Sequence, residues 1–197
     1  MIVYCATTNS GKIEEFRLAS GDAFNFEPLP RLRELPACEE TGSTFEENAI
    51  QKALHFGAYS AGLVFAEDSG LEVDSLGGEP GVYSARYAGP NATDEDNNRL
   101  VLSRLGDSTD RSARFICVIA LVQDGALVRT FRGSVEGEIL SAPRGEQGFG
   151  YDPLFYFTPF GCSFGEIPRE KKQAVSHRGA ALKQLAVFIQ EKYLPSR

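Results

Sequence analysis

The sequence has no long apolar run, and this absence excludes a membrane-spanning helix. Such a helix needs ~20 consecutive, predominantly apolar residues, and no stretch of this chain approaches that length. The first six residues, Met1–Ala6, are apolar, but they carry no basic prefix and are too short for the core of a signal peptide. We therefore expect a cytoplasmic protein with no membrane partner.

Closely spaced metal-binding cysteines and histidines are also missing. A structural zinc site needs four such ligands near one another, and a C-x-x-C pair is its usual mark. The scattered thiols are more typical of a reducing compartment than of a disulfide-bonded protein. The cysteines and histidines of the chain are Cys5, Cys38, Cys117, Cys162, His55 and His177.

No long basic run is present, which argues against a nucleic-acid partner. The 20 Lys and Arg residues are outnumbered by 27 Asp and Glu residues, for a formal net charge of −7. A surface for duplex DNA requires clustered positive charge, whereas a small anionic ligand needs only a few local cations. With 197 residues, no internal repeat and no compositional break, the chain is predicted to form one domain, residues 1–197.

Apolar patterning and turn signals predict strands that alternate with helices. Capping boxes at Ser43 and Thr44, and the acidic turn after Thr93, mark two helix starts, while Asp124-Gly125 is a strong hairpin signal. The predicted strands cover 1–6, 63–66, 113–122 and 126–137, and the predicted helices cover 13–18, 45–61, 94–105 and 179–193. This mixture predicts an α/β fold with a mixed sheet.

The turn between the first strand and the first helix, Thr7-Thr8-Asn9-Ser10-Gly11-Lys12, is a candidate anion-binding loop. Backbone N–H groups at a helix start favour an anion, and Lys12 adds a positive charge. The loop is not a Walker A motif, because Ala6 stands at the first glycine position and Ile13 follows the lysine. On this segment alone, an ordinary strand–helix turn with a solvated lysine is the favoured interpretation.

Two pairs of carboxylates are candidates for a Mg²⁺ site: Glu39 with Glu40, and Glu67 with Asp68. Mg²⁺ is commonly held by one or two carboxylates, by water and by substrate phosphates. The second pair follows an apolar strand, where α/β proteins place ligands. Burial of that pair beside the core would require a partner, a metal or a shifted pKa. For the first pair the simpler interpretation is a solvated loop, since charged loop residues are common and usually solvated.

A glycine-rich segment surrounds Phe149. The order of Gly145, Gly148 and Gly150 does not match the dinucleotide-binding fingerprint, and Asp152-Pro153 excludes the helix that the fingerprint requires. Flanking glycines leave the Phe149 ring accessible, and such a ring can stack on a base for ~1–3 kcal/mol. A ring that folds into the core is an equally good interpretation.

Cations cluster near the start of the last helix, at Arg169–Lys172 and at His177-Arg178. The helix dipole disfavours cations at a helix start, so an electronegative ligand is one explanation and a solvated charged loop is the other. Together, the four segments supply a phosphate-binding loop, carboxylates for a metal, a base-stacking ring and donors for a carbonyl group. That set suits a nucleoside triphosphate with magnesium.

Six ordered blocks, which span almost the whole chain, resemble the inosine/xanthosine triphosphate pyrophosphatase family. Their order makes the resemblance far more specific than any single block. Two positions depart from the family pattern, which often has Gly or Asn at Thr8 and Asp at Glu67. The blocks are Thr7–Lys12; Glu39–Gly42 with Thr44-Phe45, Glu47–Ala49 and Lys52-Ala53; Asp68–Leu71; Gly81–Arg86; Gly148–Pro153; and Ser176–Gly179.

The resemblance implies a long mixed β-sheet flanked by helices, in two lobes with a central active-site cleft. It implies hydrolysis of ITP, dITP and XTP to the monophosphate and pyrophosphate, Mg²⁺ as cofactor, and a homodimer. Asp68 is implied as proton acceptor and, with Glu39, as metal ligand; whether Glu67 also ligates the metal, directly or through water, stays open. The residues implied to bind substrate are Thr7, Thr8, Asn9, Ser10, Gly11, Lys12, Lys52, Ser69, Phe149, Gly150, Tyr151, Asp152, Lys172, His177 and Arg178.

Base selectivity is expected to come from donors on His177 and Arg178. These donors suit the 6-oxo group of hypoxanthine or xanthine and leave the 6-amino group of adenine unpaired, a difference that can reach ~10⁴. The alternatives are a related enzyme that acts on modified pyrimidines and a nucleotide-binding protein without turnover. The Ser176–Gly179 block argues against the first, and retention of Glu39 and Asp68 argues against the second.

Overall fold

The computed structural model describes residues 1–20 and 24–194, which form a seven-stranded mixed sheet flanked by helices. The strand order is β2-β1-β3-β4-β5-β6-β7. Strands β2, β1 and β3 are parallel, and the remaining pairs are antiparallel. The predicted α/β class with a long mixed sheet is confirmed. The strands are β1 (Ile2–Cys5), β2 (Asn25–Pro28), β3 (Leu63–Val73), β4 (Ser112–Gln123), β5 (Ala126–Ile139), β6 (Phe155–Phe157) and β7 (Cys162–Ser163).

Five α-helices accompany the sheet in the described residues. The helices are α1 (Ser10–Leu18), α2 (Phe45–Gly57), α3 (Asp94–Leu105), α4 (Arg169–Val175) and α5 (His177–Tyr193). The predicted capping residues Thr44 and Thr93 cap α2 and α3, each in a complete capping box. Helix α2 ends at Gly57, four residues before the predicted end. No described helix is both long and apolar enough to cross a membrane.

The β4–β5 hairpin forms as the Asp124-Gly125 signal predicts. Both residues have positive φ angles, +50° and +77°, which is the backbone conformation of a type I′ turn. The hairpin pairs Ser112 with Glu138 at its far end. This long ribbon provides the surface along which β3 runs.

Strand β3 is longer than the predicted strand, which ended at Ala66. It pairs with β4 without interruption from Leu63 to Val73, so the polar residues 67–70 lie inside a strand rather than after one. The strand is longer because β4 forms backbone hydrogen bonds with β3 over its full length. On its other edge, β3 pairs with β1 only as far as Cys5 opposite Phe65. Glu67 and Asp68 therefore lie just past the end of β1.

Three apolar clusters form the core of the described residues. Two of them cover the two faces of the sheet around β1 and β3, and the third lies on the antiparallel half, from β4 to β7. Helices α1 and α5 pack on one face, around Phe65 and Leu185. Helix α2 packs on the other face, around Ala49 and Val64. A third cluster, around Phe155, holds α3 against the antiparallel half. The expected cleft lies between these halves, because its lining residues come from both.

Candidate active site

The turn after β1 forms the start of helix α1, which begins at Ser10, three residues before the predicted start. Asn9 caps the helix: its side-chain oxygen accepts the Lys12 N–H at 3.1 Å. The Thr7 hydroxyl oxygen accepts the Asn9 N–H at 3.2 Å. Thr8, Asn9 and Ser10 are exposed. The turn therefore places the exposed start of α1 on a groove that it shares with Phe149, the location that an anion-binding loop requires.

Successive residues of β3 face opposite sides of the sheet, so Glu67 and Asp68 belong to different clusters. Glu67 is buried on the α1–α5 side, where its carboxylate pairs with the Lys12 ammonium and lies 3.4 Å from Nε of Arg178. Burial alone would raise the pKa of Glu67, but the positive charges of Lys12 and Arg178 outweigh it and hold that pKa well below its usual value.

Glu15 is a buried carboxylate that the sequence patterns did not single out. Its Oε2 accepts from Nη1 of Arg178 at 2.5 Å, and its Oε1 accepts from Nζ of Lys172 at 3.1 Å. Burial opposes the charge, yet Arg178 and Lys172 lower the pKa of Glu15. One carboxylate on α1 thus pairs with two cations, one from α4 and one from α5. The one sequence signal for this role was the position of Glu15 three residues after Lys12, which places both residues on the same side of the helix.

Lys172 and Arg178 are themselves almost fully buried, at 3% and 2% exposure. The interpretation of these cations as a solvated charged loop is therefore wrong. Asp152 completes the group: its Oδ2 accepts from Nζ of Lys172 at 2.6 Å and from the Phe149 N–H at 3.0 Å. Lys172 thereby links α1 to the glycine-rich segment.

The Phe149 ring lies half-buried beside this group. Nζ of Lys172 is 4.9 Å from the ring centroid, and Cζ of Arg178 is 5.5 Å from it. The other edge of the ring approaches Gly11 so closely that a Cβ there would lie 2.8 Å from a ring carbon. The ring is therefore part of the site and not of the core, and Gly11 is needed for that contact.

His177 and Ser69 provide hydrogen-bonding groups next to the ring. The His177 imidazole stacks on Phe115 with centroids 4.7 Å apart, and its Nδ1 has no hydrogen-bond partner in the described residues. Burial, together with the charges of Arg178 and Lys172, holds the pKa of His177 well below its usual value, so the ring is neutral at pH 7. Ser69 accepts from Nη2 of Arg178 at 2.8 Å.

Asp68 faces α2, on the other side of the sheet. Its Oδ1 accepts from Nζ of Lys52 at 3.0 Å and its Oδ2 accepts from the Asn48 side chain at 3.2 Å. Burial raises the pKa of Asp68 although Lys52 opposes that rise. Burial also disfavours the charged form of Lys52, but attraction to Asp68 and Glu40 prevails and raises the Lys52 pKa.

The two glutamates before α2 are placed differently. Glu40 is half-buried, and its carboxylate lies 3.2 Å from Nζ of Lys52. Glu39, the family-implied metal ligand, is exposed. Glu40 and Asp68 therefore meet at Lys52, and Glu39 stays a prediction.

A cavity of about 140 Å³ brings most of the predicted substrate-binding residues together. Thr8, Ser10 and Gly11 line an adjoining groove with Phe149. Tyr151 also contributes to the local packing, since its hydroxyl donates to the Ser84 carbonyl at 2.8 Å. The predicted residues that line the cavity are Asn9, Lys12, Ser69, Phe149, Gly150, Tyr151, Asp152, Lys172, His177 and Arg178.

Known proteins match the chain over nearly its whole length. The sequence profile of the Ham1 family matches residues 3–188. A dITP/XTP pyrophosphatase of Exiguobacterium sp. is 47% identical over 190 residues, covering 96% of this chain and 97% of that protein. One of Geobacter sulfurreducens is 49% identical over 181 residues, covering 90% of each. The solved structure of the Staphylococcus aureus Ham1 protein is 41% identical and superposes with a TM-score of 0.88, covering 98% of this chain and 100% of that one.

Proposed function

Because this chain belongs to the Ham1 family, we propose that it hydrolyses the non-canonical purine nucleoside triphosphates dITP, ITP and XTP to the monophosphate and pyrophosphate. The observation that carries the proposal is the buried group formed by Glu15, Lys172 and Arg178 beside the Phe149 ring. Cations are rarely buried unless they are paired, and here they line a cavity that also contains a stacking ring.

The base is proposed to stack on Phe149 and to be recognised by Arg178 and His177. Glu15 and Ser69 each accept one hydrogen bond from the Arg178 guanidinium. A guanidinium has five N–H donors, so donors remain for the 6-oxo group of hypoxanthine or xanthine. Adenine carries a donor at that position and would leave buried polar groups unpaired, which is costly.

The triphosphate is proposed to lie between the start of α1 and the lysines. The exposed turn at Thr8–Ser10 presents N–H groups, and Lys12 and Lys52 supply positive charge on the two sides of β3. These groups are positioned to stabilise charge on the departing pyrophosphate.

Mg²⁺ is proposed to bind on the α2 side of β3. The described residues contain no ready cluster of three or more His, Cys, Asp or Glu side chains for a metal, but Glu40 and Asp68 both approach Lys52. Two carboxylates, completed by phosphate oxygens and water, are an ordinary donor set for Mg²⁺. Asp68 would hold the ion with Glu40 or Glu39, and the bound ion would neutralise phosphate charge.

Asp68 is proposed as the acceptor of the proton from the attacking water. The water oxygen bonds to the α-phosphorus, the bond from that phosphorus to the bridging oxygen breaks, and pyrophosphate leaves. Burial raises the pKa of Asp68, which brings the carboxylate closer to the basicity that proton acceptance requires. The ammonium of Lys52, at 3.0 Å, favours the ionised form of Asp68, which is the form that can accept a proton.

Pyrophosphate release from ITP, dITP, XTP, GTP, ATP and dUTP, each with Mg²⁺ and with EDTA, tests the proposal. We expect rapid release from ITP, dITP and XTP that EDTA abolishes. Preference for dUTP would assign the protein to the pyrimidine-specific relatives instead. Tight nucleotide binding without any release would mean that the chain is a binding protein and not an enzyme.

We also propose a cytoplasmic homodimer that binds no nucleic acid. The four cysteines are free in the structure, as in a reducing compartment, and the formal net charge of −7 opposes binding to a polyanion. Sedimentation equilibrium distinguishes a dimer from a monomer.

A further inference from the structure

Helix α3 holds the glycine-rich segment at one residue, Gly150. The Gly150 N–H donates to Oδ2 of Asp94 at 2.6 Å, and the Gly150 carbonyl accepts from Nδ2 of Asn98 at 2.9 Å. Asp94 and Asn98 are four residues apart and so lie on one face of α3. Both polar atoms of a single peptide residue are thus fixed by consecutive turns of one helix.

Gly150 directly follows Phe149, whose ring lies in the site. Gly148 and Gly150 have φ angles of +76° and +63°, a region that glycine enters without steric cost. Asp152 holds both polar backbone atoms of Phe149, since its Oδ2 accepts the Phe149 N–H at 3.0 Å and its N–H donates to the Phe149 carbonyl at 3.3 Å. The N–H and carbonyl of the next residue, Gly150, bond to α3. The direction of the ring therefore depends on α3 as well as on contacts within the segment.

The contacts to Gly150 are separate from those that hold α3 itself. Thr93 and Asp96 form the capping box of the helix, and Val101 and Leu105 anchor it in the core. Asp94 is exposed. Its hydrogen bond to Gly150 is not among the contacts that cap or anchor the helix, so we expect its loss to leave α3 in place.

We propose that Asp94 and Asn98 are positioning residues that direct the Phe149 ring toward the purine base. The inference rests on the proposed function, in which Phe149 stacks on the base. It adds α3, an element outside the family-resembling blocks, to the machinery of base recognition.

Steady-state kinetics with Asp94→Ala, an exposed position, tests the proposal. A charge-assisted hydrogen bond contributes enough that its loss changes an equilibrium about tenfold or more. We expect KM for ITP to rise about tenfold with kcat little changed, as for an interaction made equally in the ground and transition states. Asp94→Asn, whose amide oxygen can accept the same N–H, is expected to restore most of the affinity, and Asn98→Asp to reproduce the loss.

Two controls separate positioning from general destabilisation. Asp96→Ala removes one half of the capping box of the same helix without touching Gly150, and it is expected to lower the melting temperature but to leave KM unchanged. Inhibition by tripolyphosphate, which has no base, is expected to be the same in Asp94→Ala as in the unsubstituted protein. An equal loss for tripolyphosphate and ITP would overturn the proposal.

A second measurement follows the ring directly, because the chain contains no tryptophan. In a Phe149→Trp variant the fluorescence anisotropy reports the mobility of the ring. We expect added Asp94→Ala to lower that anisotropy and added Asp96→Ala to leave it unchanged. Unchanged anisotropy and KM in Asp94→Ala would contradict the positioning role. If the unsubstituted protein released no pyrophosphate from ITP, the proposed function would fail, and the anisotropy would still decide whether α3 holds the ring.

Discussion

The two sides of strand β3 carry charge clusters of different character. On the α1–α5 side, Glu15, Glu67 and Asp152 face Lys12, Lys172 and Arg178, so three carboxylates meet three cations. On the α2 side, the carboxylates of Glu40 and Asp68 share the single cation of Lys52. The first cluster is balanced and the second has an excess negative charge.

From this difference we propose that the two sides of the strand serve different tasks. The balanced cluster is almost wholly buried, so its geometry is fixed before any ligand arrives, as base recognition by hydrogen bonds requires. The unbalanced cluster is more exposed and has a carboxylate with a raised pKa. A divalent cation would offset its excess charge, which is why we propose the metal on that side.

The largest expected effect is on the unbalanced side. Asp68→Asn keeps the shape of the side chain but removes its charge and its basicity. We expect kcat for ITP to fall about 10³-fold, within the range for loss of a general base, with the fold retained by circular dichroism. Asp107→Asn, an exposed acid-to-amide control, is expected to be fully active. A near-normal kcat in Asp68→Asn would exclude Asp68 from the chemistry.

The balanced side is expected to respond in stability. Glu15→Gln leaves Lys172 and Arg178 in the interior without their shared carboxylate, and removal of one partner from a buried ion pair costs about 3 kcal/mol or more. Denaturant unfolding measures this loss. Glu14→Gln, at the exposed neighbouring position that pairs with Arg169, is the matched control and is expected to cost at most about 1 kcal/mol. Equal losses of unfolding free energy in both variants would show that the buried ion pairs of Glu15 contribute no more to stability than the surface pair of Glu14.

The selectivity for ITP over ATP is expected to depend on the α1–α5 side of β3. Arg178→Ala is expected to reduce the ITP/ATP ratio of kcat/KM about tenfold to a hundredfold, because the base loses hydrogen bonds to a charged donor. Since that variant also removes one of the two cations that pair with Glu15, Arg178→Lys provides a second test that keeps the charge but loses the planar donor fork. An unchanged ratio in both variants would remove Arg178 from base recognition.

The smallest expected effect is the pH dependence of stability near pH 6. The folded-state pKa of His177 is lowered, so between that pKa and ~6.5 the unfolded chain binds more protons than the folded chain. Stability is therefore lost as the pH falls below ~6.5, with a slope of at most about 1.4 kcal/mol per pH unit. Unfolding midpoints from pH 5 to 7.5 measure the slope. His177→Phe is expected to flatten it and the control His55→Gln to retain it; the same slope in His177→Phe would contradict this assignment.

Local signals in the sequence predicted the elements that local chemistry determines. The helix caps at Thr44 and Thr93 and the Asp124-Gly125 turn depend on residues within a few positions of one another, and each forms in the structure. The alternation of predicted strands and helices was enough to predict the fold class.

Long-range partners determine what the sequence could not predict. Strand β3 continues to Val73 because β4 pairs with it. The residues around Ala66 do not predict that pairing, because the partner strand lies about 50 residues later in the sequence. Glutamate is usually a surface residue. Glu15 is buried because Lys172 and Arg178, more than 150 residues later in the sequence, form ion pairs with it. The choice between Glu39 and Glu40 likewise depends on which of them reaches Lys52.

The most direct test of the contrast between the two sides is a calorimetric comparison of two partial ligands, with and without Mg²⁺. Inosine monophosphate carries the base, and tripolyphosphate carries the phosphate chain. We predict that Mg²⁺ leaves Kd for inosine monophosphate within about twofold and tightens Kd for tripolyphosphate at least about tenfold, since one tenfold step is only ~1.4 kcal/mol. Equal tightening of both ligands, or of neither, would contradict a metal-independent base side and a metal-dependent phosphate side.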